Sequence, residues 1–64
     1  MRPLGYAVIE WNQASGRPEI APGTELTTVL DAAKDEAAQL REAAADVGRR
    51  ERYTVAELVE IEDH

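Results

Sequence analysis

The chain has 64 residues, about half the commonest domain size, so a single compact unit is expected. Thirteen acidic and seven basic side chains give a formal net charge of −6, which repels phosphate backbones and disfavours a general nucleic-acid binder. The absence of Cys excludes disulfides and thiolate metal sites. Because so small a core rarely supplies more than a few kcal/mol, self-association is the expected source of further stability.

The composition also predicts a soluble, cytoplasmic protein. The apolar stretch near the N-terminus ends at Glu10 and lacks a small-residue cleavage site, unlike a signal peptide. No run approaches the roughly 20 apolar residues that span a bilayer. We therefore expect a cytoplasmic location and no membrane contact.

A hairpin is predicted at the start of the chain. Residues 5–12 are rich in β-branched and aromatic types and predict the first strand. Gly16 follows and can supply the positive φ that a hairpin turn needs. A short second strand is expected at 18–21, at an edge of the sheet, because Pro18 cannot donate a hydrogen bond to a strand ladder.

Residues 26–47 predict a long amphipathic helix. The segment is rich in helix formers, contains neither Gly nor Pro, and is followed by Gly48 as a C-terminal stop. Thr24, Thr27 and Thr28 are alternative N-caps. Apolar residues recur at spacings of four and three, which places in one stripe Leu26, Leu30, Ala33, Ala37, Leu40, Ala44 and Val47. We expect this stripe to pack on a sheet, with a helix–helix dimer seam as the alternative.

Residues 52–61 predict the last strand, because β-branched and aromatic types dominate the run. A helix over 55–62 is the alternative, since Ala, Glu and Leu are also present. The predicted order is β-β-α-β. The expected fold class is α+β, with a small antiparallel or mixed sheet and one amphipathic helix packed on one face.

The two long strands share the pattern Tyr-x-Val-x-Glu, at residues 6–10 and 53–57. We interpret it as two core strands with similar needs, with internal duplication as the alternative. Both faces of each strand carry apolar residues, and two-sided apolar strands are normally covered on both faces. One helix covers only one face. We therefore expect a homodimer in which uncovered sheet faces or strand edges meet around a two-fold axis.

Candidate partner contacts come from the strands and from the helix. Along the helix, beside the apolar stripe, an acidic ridge is formed by Asp31, Asp35, Gln39, Glu42 and Asp46. The ridge is either a solvated surface or a docking surface for a basic partner, as in a nucleic-acid mimic. Trp11 is either a core residue or an anchor for a partner. The candidate partner-binding residues are Tyr6, Val8, Trp11, Tyr53 and Val55 on the strands, and Asp31, Asp35, Glu42 and Asp46 on the ridge.

Three arginines after the predicted helix, Arg49, Arg50 and Arg52, have two interpretations. They either stabilise the helix end, where cations are favoured, or contact an anion such as phosphate. No catalytic constellation, Gly-rich phosphate loop or metal-spaced cluster occurs, and the only His is the last residue. We expect no enzyme activity, no cofactor and no metal. The expected function is protein binding or homodimerisation. The alternative is a nucleic-acid-associated regulator that uses these three arginines, or an acidic nucleic-acid mimic.

Two resemblances complete the sequence-based picture. The stretch Tyr6-Ala-Val-Ile-Glu-Trp-Asn, then Ser15-Gly-Arg-Pro-Glu, Asp31-Ala-Ala and Glu36-Ala resembles the hairpin-then-helix unit of arm-type DNA-binding domains of tyrosine recombinases. This sequence lacks the basic strands that such domains lay into a DNA groove. With Gly48-Arg-Arg-Glu-Arg-Tyr-Thr-Val-Ala-Glu added, the chain is similar to small uncharacterised proteins of actinobacteria and their phages. That resemblance implies no particular function and no site residues.

Overall fold

The computed structural model of the chain describes residues 2–62. Its elements, in chain order, are β1 (Arg2–Trp11), β2 (Pro18–Ile20), α1 (Leu30–Asp46) and β3 (Arg52–Glu60). The strands form one antiparallel sheet in the order β2-β1-β3, and α1 contacts both β1 and β3. The predicted α+β fold with β-β-α-β order is therefore confirmed. The helical alternative for 55–62 is wrong, because β3 runs through most of that segment.

The hairpin between β1 and β2 is closed by Asn12. Its side-chain Oδ1 accepts hydrogen bonds from the backbone N–H groups of Ala14 and Ser15, at 2.9 and 3.0 Å. Its backbone carbonyl accepts the N–H of Gly16 at 2.8 Å. Such Asx-type bonding is a common way to stabilise a turn. The short strand that follows lies at the edge of the sheet, as its leading Pro18 predicts.

The central strand β1 begins earlier than predicted because its first residues pair with the end of β3. Arg2 is opposite Glu60 and Pro3 is opposite Val59. The register then shifts by a bulge between Pro3 and Gly5. The strand therefore extends over a Pro and a Gly that local propensity disfavours, which shows that pairing outweighs propensity here.

The helix begins at Leu30, later than predicted, because the residues before it run alongside β1. The N–H of Tyr6 donates to the carbonyl of Thr27 at 2.6 Å, and the N–H of Thr27 donates back at 2.9 Å. Thr27 Oγ1 accepts the N–H of Val29, but the helix N-cap is Val29 and no side chain caps it. The predicted threonine N-caps are thus wrong, and Leu26 lies outside the helix.

The core between α1 and the sheet is built largely from alanine. Ala33, Ala37 and Ala44 of the predicted stripe are buried, and the half-buried Leu40 packs against the cluster that contains Ala37 and Ala44. Leu26 and Leu30 at the start of the stripe and Val47 at its end remain exposed. Small side chains let the helix approach the sheet closely, so the central part of the stripe packs on the sheet as predicted. After the stripe the helix ends before Gly48, whose φ is +75°.

Candidate functional site

The register of β1 and β3 shows which residues share each face of the sheet. Val8 is opposite Val55, and Glu10 is opposite Tyr53. Cross-strand partners point to the same side of a sheet. Because Val8 and Tyr53 form the core together with α1, these residues mark the face that the helix covers.

Antiparallel pairing explains the repeated Tyr-x-Val-x-Glu pattern. When two copies of the pattern run in opposite directions, Tyr meets Glu, Val meets Val and Glu meets Tyr. The structure has this arrangement, with Tyr6 opposite Glu57 and Glu10 opposite Tyr53. The Tyr53 hydroxyl donates to Glu10 Oε2 at 2.8 Å, which satisfies the polar end of a buried side chain. Burial, and then this carboxylate, raise the pKa of Tyr53.

Most of the strand residues predicted as partner contacts lie on this helix face. Val8 is 1% exposed and Tyr53 is 4% exposed, and the half-buried Val55 packs against the core cluster that contains them. These three side chains are therefore core residues in the folded chain and are covered by α1. Tyr6 is half-buried and lines a shallow cavity beside Thr28.

The opposite face of the sheet is apolar, and α1 lies on the other side of the sheet. Successive side chains of a strand point to opposite faces. The residues of β1 and β3 that alternate with those of the helix face therefore lie on this side. Ile20 joins them from β2, because it is opposite Ile9. We call this surface the open face and define it by Ala7, Ile9, Trp11, Ile20, Ala56 and Leu58.

Exposure varies across the open face. Ala7 is buried, whereas Ile9 and Leu58 are half-buried and Ile20 is 48% exposed. Thr27 is paired with Tyr6, which belongs to the helix face. Leu26 is the residue before Thr27, so its side chain lies on the opposite side, with the open face. Leu26 is 49% exposed. Large apolar side chains on this side of the sheet thus remain in contact with water.

Trp11 is held in place on the open face by two neighbours. Its indole Nε1–H donates to Thr54 Oγ1 at 2.8 Å. The guanidinium of Arg52 lies 5.0 Å from the centre of the ring, within the range of a cation–π contact. Trp11 therefore lies outside the core between α1 and the sheet. The ring is half-buried on the other side of the sheet.

The acidic ridge is an exposed surface of α1. All five of its members have exposed side chains, so the helix presents them together to solvent. Their spacing keeps them beside the buried alanines rather than among them. The position agrees with both a solvated surface and a docking surface.

The three arginines have different surroundings. Arg49 donates from Nε and Nη2 to the two carboxylate oxygens of Glu51, at 3.1 and 3.0 Å. This contact lowers the pKa of Glu51 and raises that of Arg49. Arg52 lies over Trp11 on the open face, and Arg50 is exposed. Two of the three predicted anion contacts thus have specific partners within the chain.

Among residues 2–62, no group of three or more His, Cys, Asp or Glu side chains is arranged to hold a metal ion. No helix in this described part is both long and apolar enough to cross a membrane. Comparison with models of known protein families, with curated proteins and with solved structures gave no match. Function is therefore inferred from the surfaces of the chain.

Proposed function

We propose that this chain is a non-enzymatic protein-binding module that acts as a homodimer. One observation carries this proposal: α1 covers one face of the sheet, and the other face, the open face, is apolar. Strands with two apolar faces are normally covered on both. A second copy of the same chain can cover the open face, and such a copy is present wherever the protein is made.

The small core supports the proposal. Among residues 2–62, five of the seven buried apolar residues are alanines; these seven are Ala7, Val8, Ala21, Ala33, Ala37, Ala44 and Tyr53. Burial stabilises by about 0.8 kcal/mol per buried CH₂ group, so an alanine contributes little compared with Leu or Ile. Chains of this length usually need a further source of stability, and oligomerisation is one that requires neither Cys nor a metal.

The shape of the chain supports it as well. A compact monomer of this mass exposes about 4,100 Å², whereas this chain exposes 4921 Å². The difference over the whole chain, about 800 Å², is similar in size to the area that each partner buries in a standard protein interface. The radius of gyration is 12.8 Å, compared with about 11 Å for a compact chain of this length. The principal extents of 43 × 26 × 15 Å describe a thin, elongated layer.

The nucleic-acid alternative has weaker support. The net charge of −6 is unfavourable for phosphate binding. Arg49 donates to Glu51 and Arg52 lies over Trp11, so contact with phosphate would compete with these interactions. The acidic ridge lies on α1, away from the open face, and stays available to a basic protein partner after dimerisation. The proposed location is the cytoplasm, on the basis of the sequence.

Light scattering coupled to size exclusion tests the homodimer directly. At tens of micromolar we expect a mass of twice 7.1 kDa. We also expect the thermal midpoint to rise with protein concentration, because association stabilises only the folded state. A monomer mass together with a midpoint independent of concentration would refute the proposal.

A further inference from the structure

We infer that two copies of the chain pack open face against open face, with Trp11 and Ile20 inside the interface. This inference rests on the proposed homodimer and specifies its contact surface. The occupant of the open face is thus a second copy of the same chain. The chain as a whole exposes about 800 Å² more than a compact monomer of its mass, which is similar in size to what one partner contributes to a standard interface.

The distribution of charge on this side of the sheet fits an interface. Its middle is formed by apolar side chains of the open face together with Thr54, which is opposite Ile9. The charged residues of the same side lie at its two ends, with Arg52 at one end and the pair Arg2 and Glu60 at the other. The Arg2 and Glu60 side chains approach to 4.0 Å. An apolar centre with a charged rim is the usual anatomy of a protein interface.

The hydrogen bond from Trp11 to Thr54 lowers the cost of burying the indole ring in an interface. Indole has one polar hydrogen, and in this structure it is already donated to Thr54 Oγ1. Covering the ring with a second copy therefore leaves no unsatisfied donor, which would otherwise oppose association. Trp11 lies at the Arg52 end of this surface, and a well-held Trp whose donor is satisfied has the character of a binding hot spot.

The free edge of β3 is the competing contact surface. The backbone of Tyr6 bonds to Thr27, and the carbonyl of Val8 accepts from Ala21. The backbone N–H and C=O groups of Tyr6 and Val8 thus point away from β3. In an antiparallel pair, the residues opposite them then also point away from the shared edge, so the backbone groups of Tyr53, Val55 and Glu57 face the free edge of β3. Pairing there would extend the sheet but would leave the open face in water. Face-to-face packing removes the exposed apolar surface, so it is favoured.

Ile20→Lys tests the inference, with Val47→Lys as the matched control. Ile20 is 48% exposed and Val47 is 71% exposed, so an isolated molecule tolerates Lys at either position. Val47 lies at the end of α1, away from the open face. Because a two-fold interface contains each residue twice, Ile20→Lys is expected to raise the dimer dissociation constant by about 100-fold or more. Val47→Lys is expected to change it by less than about 3-fold, as for a residue outside the contact.

Glu57→Pro separates face packing from edge pairing. It removes a backbone N–H at the free edge of β3, where Pro is tolerated. We expect this variant to remain a dimer by light scattering. If Glu57→Pro dissociates while Ile20→Lys keeps wild-type affinity, the copies pair by their edges and the inference is wrong. A wild-type chain that is monomeric would instead overturn the proposed homodimer itself.

Fluorescence of the unmodified chain gives a readout that does not depend on any variant. The chain contains one Trp, and it lies on the open face. On dilution through the dissociation measured by light scattering, its emission is expected to shift to longer wavelength as the ring becomes wet. Unchanged emission across that dissociation would place the interface elsewhere, even if Ile20→Lys failed to fold.

Discussion

Gly5→Ala is expected to break the contact that holds the segment before α1 beside β1. Gly5 has a φ of +143°, which side chains rarely adopt. A Cβ built there would lie 2.6 Å from the carbonyl oxygen of Thr27 and 3.2 Å from its carbonyl carbon. That oxygen accepts the N–H of Tyr6. Ala can therefore fit only if the backbone of Thr27 moves away.

The cost of this change follows from two contributions. A non-glycine residue in a sparsely populated backbone region costs about 1–3 kcal/mol. Displacing Thr27 also removes the two backbone hydrogen bonds with Tyr6, each worth about 1 kcal/mol net. Together they lower the free energy of unfolding by about 3–5 kcal/mol. A chain of this length has a total stability of about 3–10 kcal/mol, so the effect is large.

Urea unfolding followed by circular dichroism measures this cost. Gly16→Ala is the matched control, because Gly16 also has a positive φ, +69°, but nothing lies within 4 Å of the added Cβ. The control is expected to lose only about 1–2 kcal/mol from the left-handed backbone. All variants are compared at one protein concentration, since dimerisation contributes to stability. Equal losses in Gly5→Ala and Gly16→Ala would refute the role given to the Thr27 contact.

Two further predictions concern the helix side of the sheet. Within the described residues 2–62, Val8 is the largest side chain that is fully buried. Val8→Ala should therefore lower the free energy of unfolding in urea by about 2 kcal/mol. A loss below about 0.5 kcal/mol, typical of surface sites, would contradict this placement. The folded state raises the pKa of Tyr53 above its ordinary value of 10.0. The stabilisation that Tyr53 gives the folded state is therefore fully present below pH 10, and it is lost as the pH rises through the raised pKa. In Tyr6→Phe, phenolate absorbance should titrate at higher pH in the native than in the urea-unfolded chain, and equal midpoints would contradict it.

Element type and order followed from local patterns in the sequence. The 3.6-residue period of the helix stripe and the sheet-favouring composition of the strands act within short windows, and Gly48 ends the helix by its own backbone freedom. Pro18 marks an edge strand for an equally local reason. These features need no knowledge of distant residues, and the structure confirms them.

The helix start could not be read locally, because it is set by a partner elsewhere in the chain. Thr24, Thr27 and Thr28 all have N-cap chemistry. The backbone of Thr27 is instead bonded to Tyr6, far away in sequence. A glycine before Tyr6 was the available signal, since Gly5 allows another backbone to approach closely.

The assignment of faces also required tertiary information. Both faces of the long strands are apolar, so composition alone does not identify the covered one. The repeated pattern did contain a usable signal, because antiparallel pairing sets Glu10 opposite Tyr53 and gives the phenol an acceptor. The contact between Trp11 and Thr54 had no such signal, since it joins residues that are neither close in sequence nor directly paired.

The alanine-rich stripe explains why large apolar groups lie on the outside of this domain. Ala37 and Ala44 are buried where α1 packs on the sheet, so enlarging either is expected to strain the packing rather than fill space. Stability therefore cannot be raised much on the helix side without moving the helix. Trp11, Ile20 and Leu58 lie on the side where no such limit applies. A second copy placed there would bury large side chains while leaving the close contact between helix and sheet unchanged, which links the proposed dimer to the sequence of the helix itself.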